Sequence, residues 1–275
     1  MAFGREEILL RLKRTVGGGR PIIIAGAGTG ISAKFEEAGG VDLIILYNSG
    51  KFRMAGLSPI AGLMPYGDAN AIVMEIANEV LQVIKKTPVI AGVCGTDPFR
   101  SMAVFLKEIK EIGFSGVQNF PTVSIYDGIF RRQLEDSGIG FDLEVEMIEK
   151  AHELDLFTVP YAFNADEATA MAEVGADMIV AHLGPTVQRV NELSSGLSLA
   201  EAAHKVQEIC EEAKKTNPGI MCLCHGGPIA EPKDAQYILQ NTTGIHGFCG
   251  ASSVERYPTE VAIKEQIQKF KSINF

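Results

Sequence analysis

The sequence predicts an α/β fold, a single (β/α)8 TIM barrel with an extra N-terminal helix, on three observations. Eight short β-rich apolar runs punctuate the chain, each followed by a turn and a helical pattern. The runs are continuously apolar rather than alternating, as parallel strands buried on both faces require. Eight such units in about 250 residues match the rhythm of a barrel, whereas a doubly wound sheet has fewer strands and open edges. No polar linker divides the chain, so one domain over residues 1–275 is expected.

The elements follow in order. Arg5–Thr15 reads as a helix ahead of the first strand, placed to cover the barrel bottom. Strands are predicted near 22–25, 43–47, 89–93, 116–119, 157–161, 178–182, 220–224 and 245–249. Helix starts are marked by Asp97-Pro98, by Asn164 three residues before Glu167, by the capping box from Ser198 to Glu201, and by Pro232 and Pro258. Gly113 and Gly175 fall where helices stop before the next strand. The connections 48–68, 120–141 and 183–198, after strands two, four and six, are longer than the rest. On a barrel they share the catalytic face, as lids, substrate walls or oligomer contacts.

Composition bounds the function. With 46% hydrophobic and 21% charged residues and no low-complexity tract, the chain is compact rather than disordered. A formal charge of −9 argues against a general nucleic-acid binder, whose domain carries a basic face. The charged stretch 1–14 has no room for a signal-peptide core, and the longest apolar candidate, 71–84, is interrupted by Glu75, Asn78, Glu79 and Gln82. A soluble cytoplasmic protein with no membrane partner is expected. Five cysteines in a chain of this size read as reduced thiols, and Cys222-Leu-Cys224-His225 as core thiols, because zinc sites use wider spacing.

Two glycine turns carry the sharpest chemistry. His225-Gly-Gly-Pro228 and Gly250-Ala-Ser-Ser253 follow the last two strands, where barrels bind phosphate. Backbone N–H groups at Gly226, Gly227, Gly250 and Ala251, with Ser252 and Ser253, are the candidate anion cradle. Lys51 and Arg53, in a glycine-containing loop after strand two, either close over the anion or form a solvated tip. Gly26-Ala-Gly-Thr-Gly-Ile31 is not a dinucleotide fingerprint, since the third glycine and the acidic ribose partner are missing. It reads as a tight turn with close backbone approach.

Strand ends supply the reactive groups. Asn119, His182 and His225 end strands, and Asp97 lies just beyond one, so all four are candidate catalytic residues at a common mouth. Either imidazole can act as acid, base or metal ligand near neutral pH. Asp97 is the candidate metal ligand, or else it caps the following helix. His246, at the start of the last strand, reads as structural.

Taken together, Gly26–Lys34, Tyr47-Asn-Ser-Gly50, Gly95-Thr-Asp-Pro98, Gly116–Thr122, His225-Gly-Gly-Pro228 and Gly250-Ala-Ser-Ser253 resemble the phosphoenolpyruvate hydrolase-like family over nearly the whole chain. The resemblance implies a barrel and chemistry on a phosphorylated or phosphono-substituted three-carbon acid. The Lys-Lys-Cys-Gly-His loop of phosphoenolpyruvate mutase and isocitrate lyase is absent, so that cysteine-loop mechanism does not carry over.

Three functions therefore stand at this stage. The first is a metal-assisted hydrolase or lyase on a small anionic keto or enol acid, with Mg2+ at Asp97. The second is an iron dioxygenase using His182, His225 and Asp97. The third is a non-catalytic phosphometabolite sensor. A homo-oligomer is expected, formed through outer helices or the long connections.

Overall fold

The computed structural model describes residues 2–186 and 196–274. Its strands are β1 (Ile22–Ala27), β2 (Leu43–Leu46), β3 (Val89–Val93), β4 (Gly116–Asn119), β5 (Phe157–Thr158), β6 (Tyr161–Ala162), β7 (Met178–His182), β8 (Met221–His225) and β9 (Gly247–Gly250). The helices are α1 (Arg5–Gly17), α2 (Gly30–Ala38), α3 (Asn48–Met54), α4 (Ala69–Val83), α5 (Met102–Ile112), α6 (Gly128–Asp136), α7 (Phe141–Glu153), α8 (Ala165–Glu173), α9 (Leu199–Thr216), α10 (Pro232–Gln240) and α11 (Arg256–Lys271).

All strand pairs are parallel, in the order β5-β4-β3-β2-β1-β9-β8-β7-β6. The predicted fifth strand is split, because Pro160 has no N–H to give to a ladder. Its halves still close the ring: the Val159 N–H donates to the Val117 carbonyl at 3.1 Å, and the Pro160 carbonyl accepts from the Val180 N–H at 2.9 Å. The pleat then sorts side chains in steps of two. Inward-facing Ile22, Ile24, Leu43, Ile45, Met178, Val180 and Leu223 form one core, sealed below by Ile8 and Leu12 of α1. An ion pair of 2.7 Å between Arg5 and Asp177 pins α1 there. Outward residues pack against the helices as a second core.

Several terminators act as expected. Ser198 and Glu201 form the reciprocal capping box of α9, and Asn164 caps α8. Gly113 ends α5 with φ of 116°. The tight turn after β1 depends on Gly28, where an added Cβ would lie 2.3 Å from the Gly50 carbonyl oxygen. Asp97-Pro98 does not open a helix; α5 starts at Met102 with Ser101 at its N-cap position. The Asp97 carboxylate instead accepts the Phe99 N–H at 2.9 Å, which makes a local turn that ends before the helix begins.

The long connection after strand two is not a loose loop, since α3 and a 3-10 turn at Pro59–Leu63 occupy most of it. The connection 120–141 likewise holds the 3-10 turn Val123–Ile125 and α6. Of the third, 183–198, residues 187–195 lie outside the described residues. Among the described residues no helix is long and apolar enough to cross a membrane. At the far end of the chain α11 buries no residue at all.

Candidate active site

His182 and His225 end β7 and β8 in matched register, so the two imidazoles stand side by side on the inner face. Their ring centroids are 4.5 Å apart. Each has its Nδ1 committed. The Gly184 N–H donates to His182 Nδ1 at 2.9 Å, which leaves the proton of the neutral ring on Nε2. His225 Nδ1 lies 2.7 Å from the Cys249 carbonyl oxygen, which can only accept, so that ring carries its proton on Nδ1 and has a bare Nε2. One imidazole is thereby set as a donor and its neighbour as an acceptor.

Burial keeps both rings neutral. Loss of solvation drives the His182 pKa well below its ordinary value, and the neighbouring His225 pushes it the same way. His225 falls to about 4, through burial first and the nearby Arg53 charge, against the opposing pull of the Cys249 carbonyl. Phe163 stacks on His182 with centroids 4.3 Å apart, and the Tyr161 ring meets it edge-on at 4.6 Å.

The pair opens on a cavity of about 70 Å³ whose polar lining includes Tyr47, Ser49, Arg53, Tyr161, Thr186 and Ser252 beside the histidines. That is roughly half the ~150 Å³ that takes a benzene ring, so it accommodates one small acid headgroup. Arg53 is 1% exposed, inside the mouth rather than on a loop tip. Its Nε donates to Glu255 at 2.6 Å and its Nη2 to the Gly26 carbonyl at 2.8 Å, while Nη1 has no hydrogen-bond partner among the described residues. Glu255 also accepts the Gly28 N–H at 2.7 Å, which ties the turns after β1 and β9 to one carboxylate.

Below the histidines lies a neutral polar plug. The Tyr47 hydroxyl donates to Gln118 Oε1 at 2.6 Å and accepts from the Tyr161 hydroxyl at 2.7 Å. Gln118 Nε2 in turn donates to the Val159 carbonyl, at the break in the fifth strand. Burial raises both phenols and holds the Cys249 thiol at about 12, so none of them ionises near neutrality. Sequence reasoning passed over Tyr47, Gln118 and Glu255. A count in steps of two along β2 and β4 would have placed the first two inside, since Tyr47 shares its face with Ile45 and Gln118 with Gly116.

The other expected site residues are distributed differently. Ala251 and Ser252 line the cavity, whereas Ser253 turns its buried hydroxyl away without a partner. Gly226 and Gly227 do not line it. Their left-handed φ values of 78° and 56° bring the turn against Gly184, whose carbonyl takes the Gly227 N–H at 3.0 Å. Their role is to lock the β7 and β8 ends together. Gly250 faces Phe248, Ser253 and Val254 rather than the cavity. Lys51 lies on the outside of α3, in a 2.6 Å ion pair with Glu75.

Asn119 is fully buried and faces away from the barrel axis. Its amide donates to Glu144 at 2.6 Å and accepts the Tyr161 N–H at 2.7 Å, replacing ladder bonds that the split strand lacks. Asp97 lines a separate cavity of about 530 Å³ between the β3 and β4 ends, and its carboxylate is held by Asn70, Phe99 and Arg100. The structure therefore does not assemble Asp97 with the two histidines, as either the magnesium or the iron reading required. Magnesium takes hard oxygen ligands. Among the described residues no Asp or Glu lines the histidine cavity, and no three His, Cys, Asp or Glu side chains converge on one point. The described donor set does not fit a divalent cation.

The architecture has close counterparts. A phosphoenolpyruvate phosphomutase from Streptomyces platensis subsp. rosaceus superposes with a TM-score of 0.60 at 15% identity, covering 96% of this chain and 86% of that one. A phosphonopyruvate hydrolase in complex with oxalate and Mg++ does so with 0.59 at 14%, covering 96% and 87%. At such identities the likeness is one of fold. In sequence the chain is 59% identical over 270 residues to the tomato (Solanum lycopersicum) protein named ToMV susceptible protein tm-1(GCR26), and 58% identical to ToMV resistance protein Tm-1(GCR237) of the same plant. These alignments cover 98% of this chain but 36% of each relative, so the chain spans about a third of the length of the curated relatives it matches. The model of one family, described as phosphoenolpyruvate hydrolase-like, matches residues 7–273, and the chain belongs to that family.

Proposed function

We propose that the histidine mouth performs hydrolase or lyase chemistry on a small anionic keto or enol acid of the phosphoenolpyruvate or phosphonopyruvate type. The observation that carries this reading is the fixed pair of opposite tautomers, His182 presenting Nε2–H and His225 a bare Nε2. The acid group of the substrate lies beside Arg53 Nη1 and Ser252. In hydrolysis, His225 Nε2 takes a proton from water as the oxygen attacks phosphorus. The bond from phosphorus to the carbon or oxygen of the three-carbon unit breaks, and its electron pair passes into an enolate. The enolate oxygen accepts the His182 hydrogen bond, which stabilises the developing charge, and the proton that His225 took from water passes to the enolate carbon, giving the keto acid and phosphate. No step passes through a metal.

Turnover of phosphoenolpyruvate and phosphonopyruvate, followed by phosphate release, tests the assignment. His225→Gln is expected to lower kcat by about 10²-fold or more. Because the folded imidazole takes up no second proton above about pH 4, wild-type activity should fall on acidification through that value, not through the usual histidine range. Calorimetric binding without turnover would make the barrel a sensor. Neither turnover nor binding would sink the substrate assignment.

The expected homo-oligomer is proposed on the state of α11. Ile263, Ile267 and Phe270 form one stripe on this helix, and each is more than half exposed. The same chain leaves Ile31 and Phe35 of α2 exposed beside β1. We infer that a second copy covers both by exchange of α11. A helix of this length is ~24 Å long and ~10 Å across, so reciprocal burial of half its girth covers on the order of 800 Å² per protomer, the size of a stable interface. Sedimentation at micromolar concentration is expected to give a dimer that Ile263→Glu/Ile267→Glu converts to a folded monomer. A monomeric wild type would overturn it.

A further inference from the structure

The barrel mouth contains a cation of its own, and the carboxylates around it are engaged by other groups except Glu36, whose oxygens are buried without a partner and which burial holds in its neutral form. Asp97 is tied to Arg100, Asn70 and the Phe99 N–H. Glu144 accepts from Asn119 and from the Val123 N–H, and Glu255 from Arg53 and the Gly28 N–H. Asp68 is taken by Arg100. Among the described residues, the lining of the histidine cavity has one charged member, the guanidinium of Arg53.

From this arrangement we propose that Arg53 takes the place of a divalent cation, and that the mouth binds a small carboxylate or phosphonate oxyanion directly, without metal. This deepens the reading of the cavity as an anion site and rests on it. Three physical points support it. Nη1 of Arg53 is the end of the guanidinium not used by Glu255 or Gly26, so it retains two N–H donors for an acceptor in the cavity. Guanidinium geometry matches a carboxylate or phosphonate with paired donors, and its charge opposes entry of a second cation. Magnesium takes hard oxygen ligands and dehydrates reluctantly, and among the described residues no carboxylate lines this cavity to hold it.

Glu255 does not cancel this function. It lies on the Nε and Nη2 side, and it orients the guanidinium so that Nη1 is the end left without a partner among the described residues. Buried neutral histidines add no positive charge that would compete for the anion. They supply one donor and one acceptor instead, so the group that approaches Arg53 is fixed in orientation relative to the His225 lone pair. The selected ligand is a planar or tetrahedral oxyanion with a proton-accepting oxygen facing His182.

Oxalate is a suitable probe. Titration calorimetry of the full chain in EDTA is expected to show binding, and millimolar Mg2+, after correction for magnesium–oxalate association in the buffer, should change the affinity by less than twofold. Mg2+ alone should give no binding heat. Arg53→Lys, verified as folded by circular dichroism, should weaken oxalate at least tenfold in EDTA with no rescue by Mg2+. Binding that appears only with Mg2+, or tightens tenfold with it, would overturn the arginine assignment and leave the anion site intact. No oxalate binding under either condition would remove the anion-site reading, and with it this inference.

Discussion

Glu255→Ala is expected to lower the unfolding free energy by ~3–5 kcal/mol, because it leaves a buried guanidinium without its counter-charge. Arg53 is 1% exposed and the Glu255 side chain 0%, so water cannot replace the lost partner. The same substitution orphans the Gly28 N–H, at a turn where Gly28 and Gly50 already touch backbone to backbone. The double variant Arg53→Met/Glu255→Leu should recover most of the loss, since removing both charges also removes both desolvation penalties. Urea unfolding of the wild type and the two variants separates the cases. A single variant that loses less than ~1 kcal/mol would mean that the ion pair is solvated and that Arg53 is not held in the mouth.

That pair also marks how far the sequence is readable. The strands were legible because runs such as Leu43–Leu46 and Met178–His182 are apolar on both faces, which only a covered sheet tolerates. His182 and His225 were legible because they end consecutive barrel strands, and register then does the rest. Arg53 was legible as a cation but not as a buried one. The string Asn48-Ser-Gly-Lys-Phe-Arg-Met54 has a central glycine and reads as a loop, yet it folds as α3 and carries Arg53 inward. Its partner lies 202 residues away, and a single glutamate between Val254 and Arg256 gives no local sign of burial.

Asn119 and Asp97 show the other limit. Position at a strand end places a residue near the mouth, but the pleat decides whether it faces the axis. Asn119 lies one step past inward-facing Gln118 and so points at α7, where Glu144 receives it. Asp97 lies four residues beyond the end of β3, where turn chemistry rather than strand parity sets direction. Its carboxylate is consumed by local N–H and guanidinium donors, which hold its pKa below the ordinary range despite the opposing cost of burial. Reading strand ends by parity would have retained both histidines and added Tyr47 and Gln118.

Stability should fall as pH rises from about 6.5 to 8, and Glu36→Gln should abolish most of that fall. Both carboxylate oxygens of Glu36 are buried without a hydrogen-bond partner. Burial first, and the Glu255 charge second, push its pKa up to about 8, against the favourable field of Arg53. Glu144 rises to about 7 through burial, partly offset by its hydrogen bonds. Unfolded carboxyls ionise near 4.5, so between that value and 7 or 8 the folded chain binds more protons, and each group removes ~1.4 kcal/mol per pH unit. The histidines act oppositely. Unfolded imidazoles protonate below about 6.5 while buried His225 resists to about 4, so their contribution is lost as pH falls through that window. From 4.5 to 6.5 the two sets oppose each other; above 6.5 the carboxyls act alone. Glu36→Gln should therefore match the wild type within ~1 kcal/mol at pH 5 and exceed it by on the order of 3–5 kcal/mol at pH 8.5 in urea unfolding. Equal stabilities at both values would show that Glu36 is already ionised in the folded chain. The same titration reaches the mouth. Once Glu36 ionises, Arg53 faces two carboxylates instead of one, so oxalate affinity should decline above about pH 8 in the wild type and remain level in Glu36→Gln.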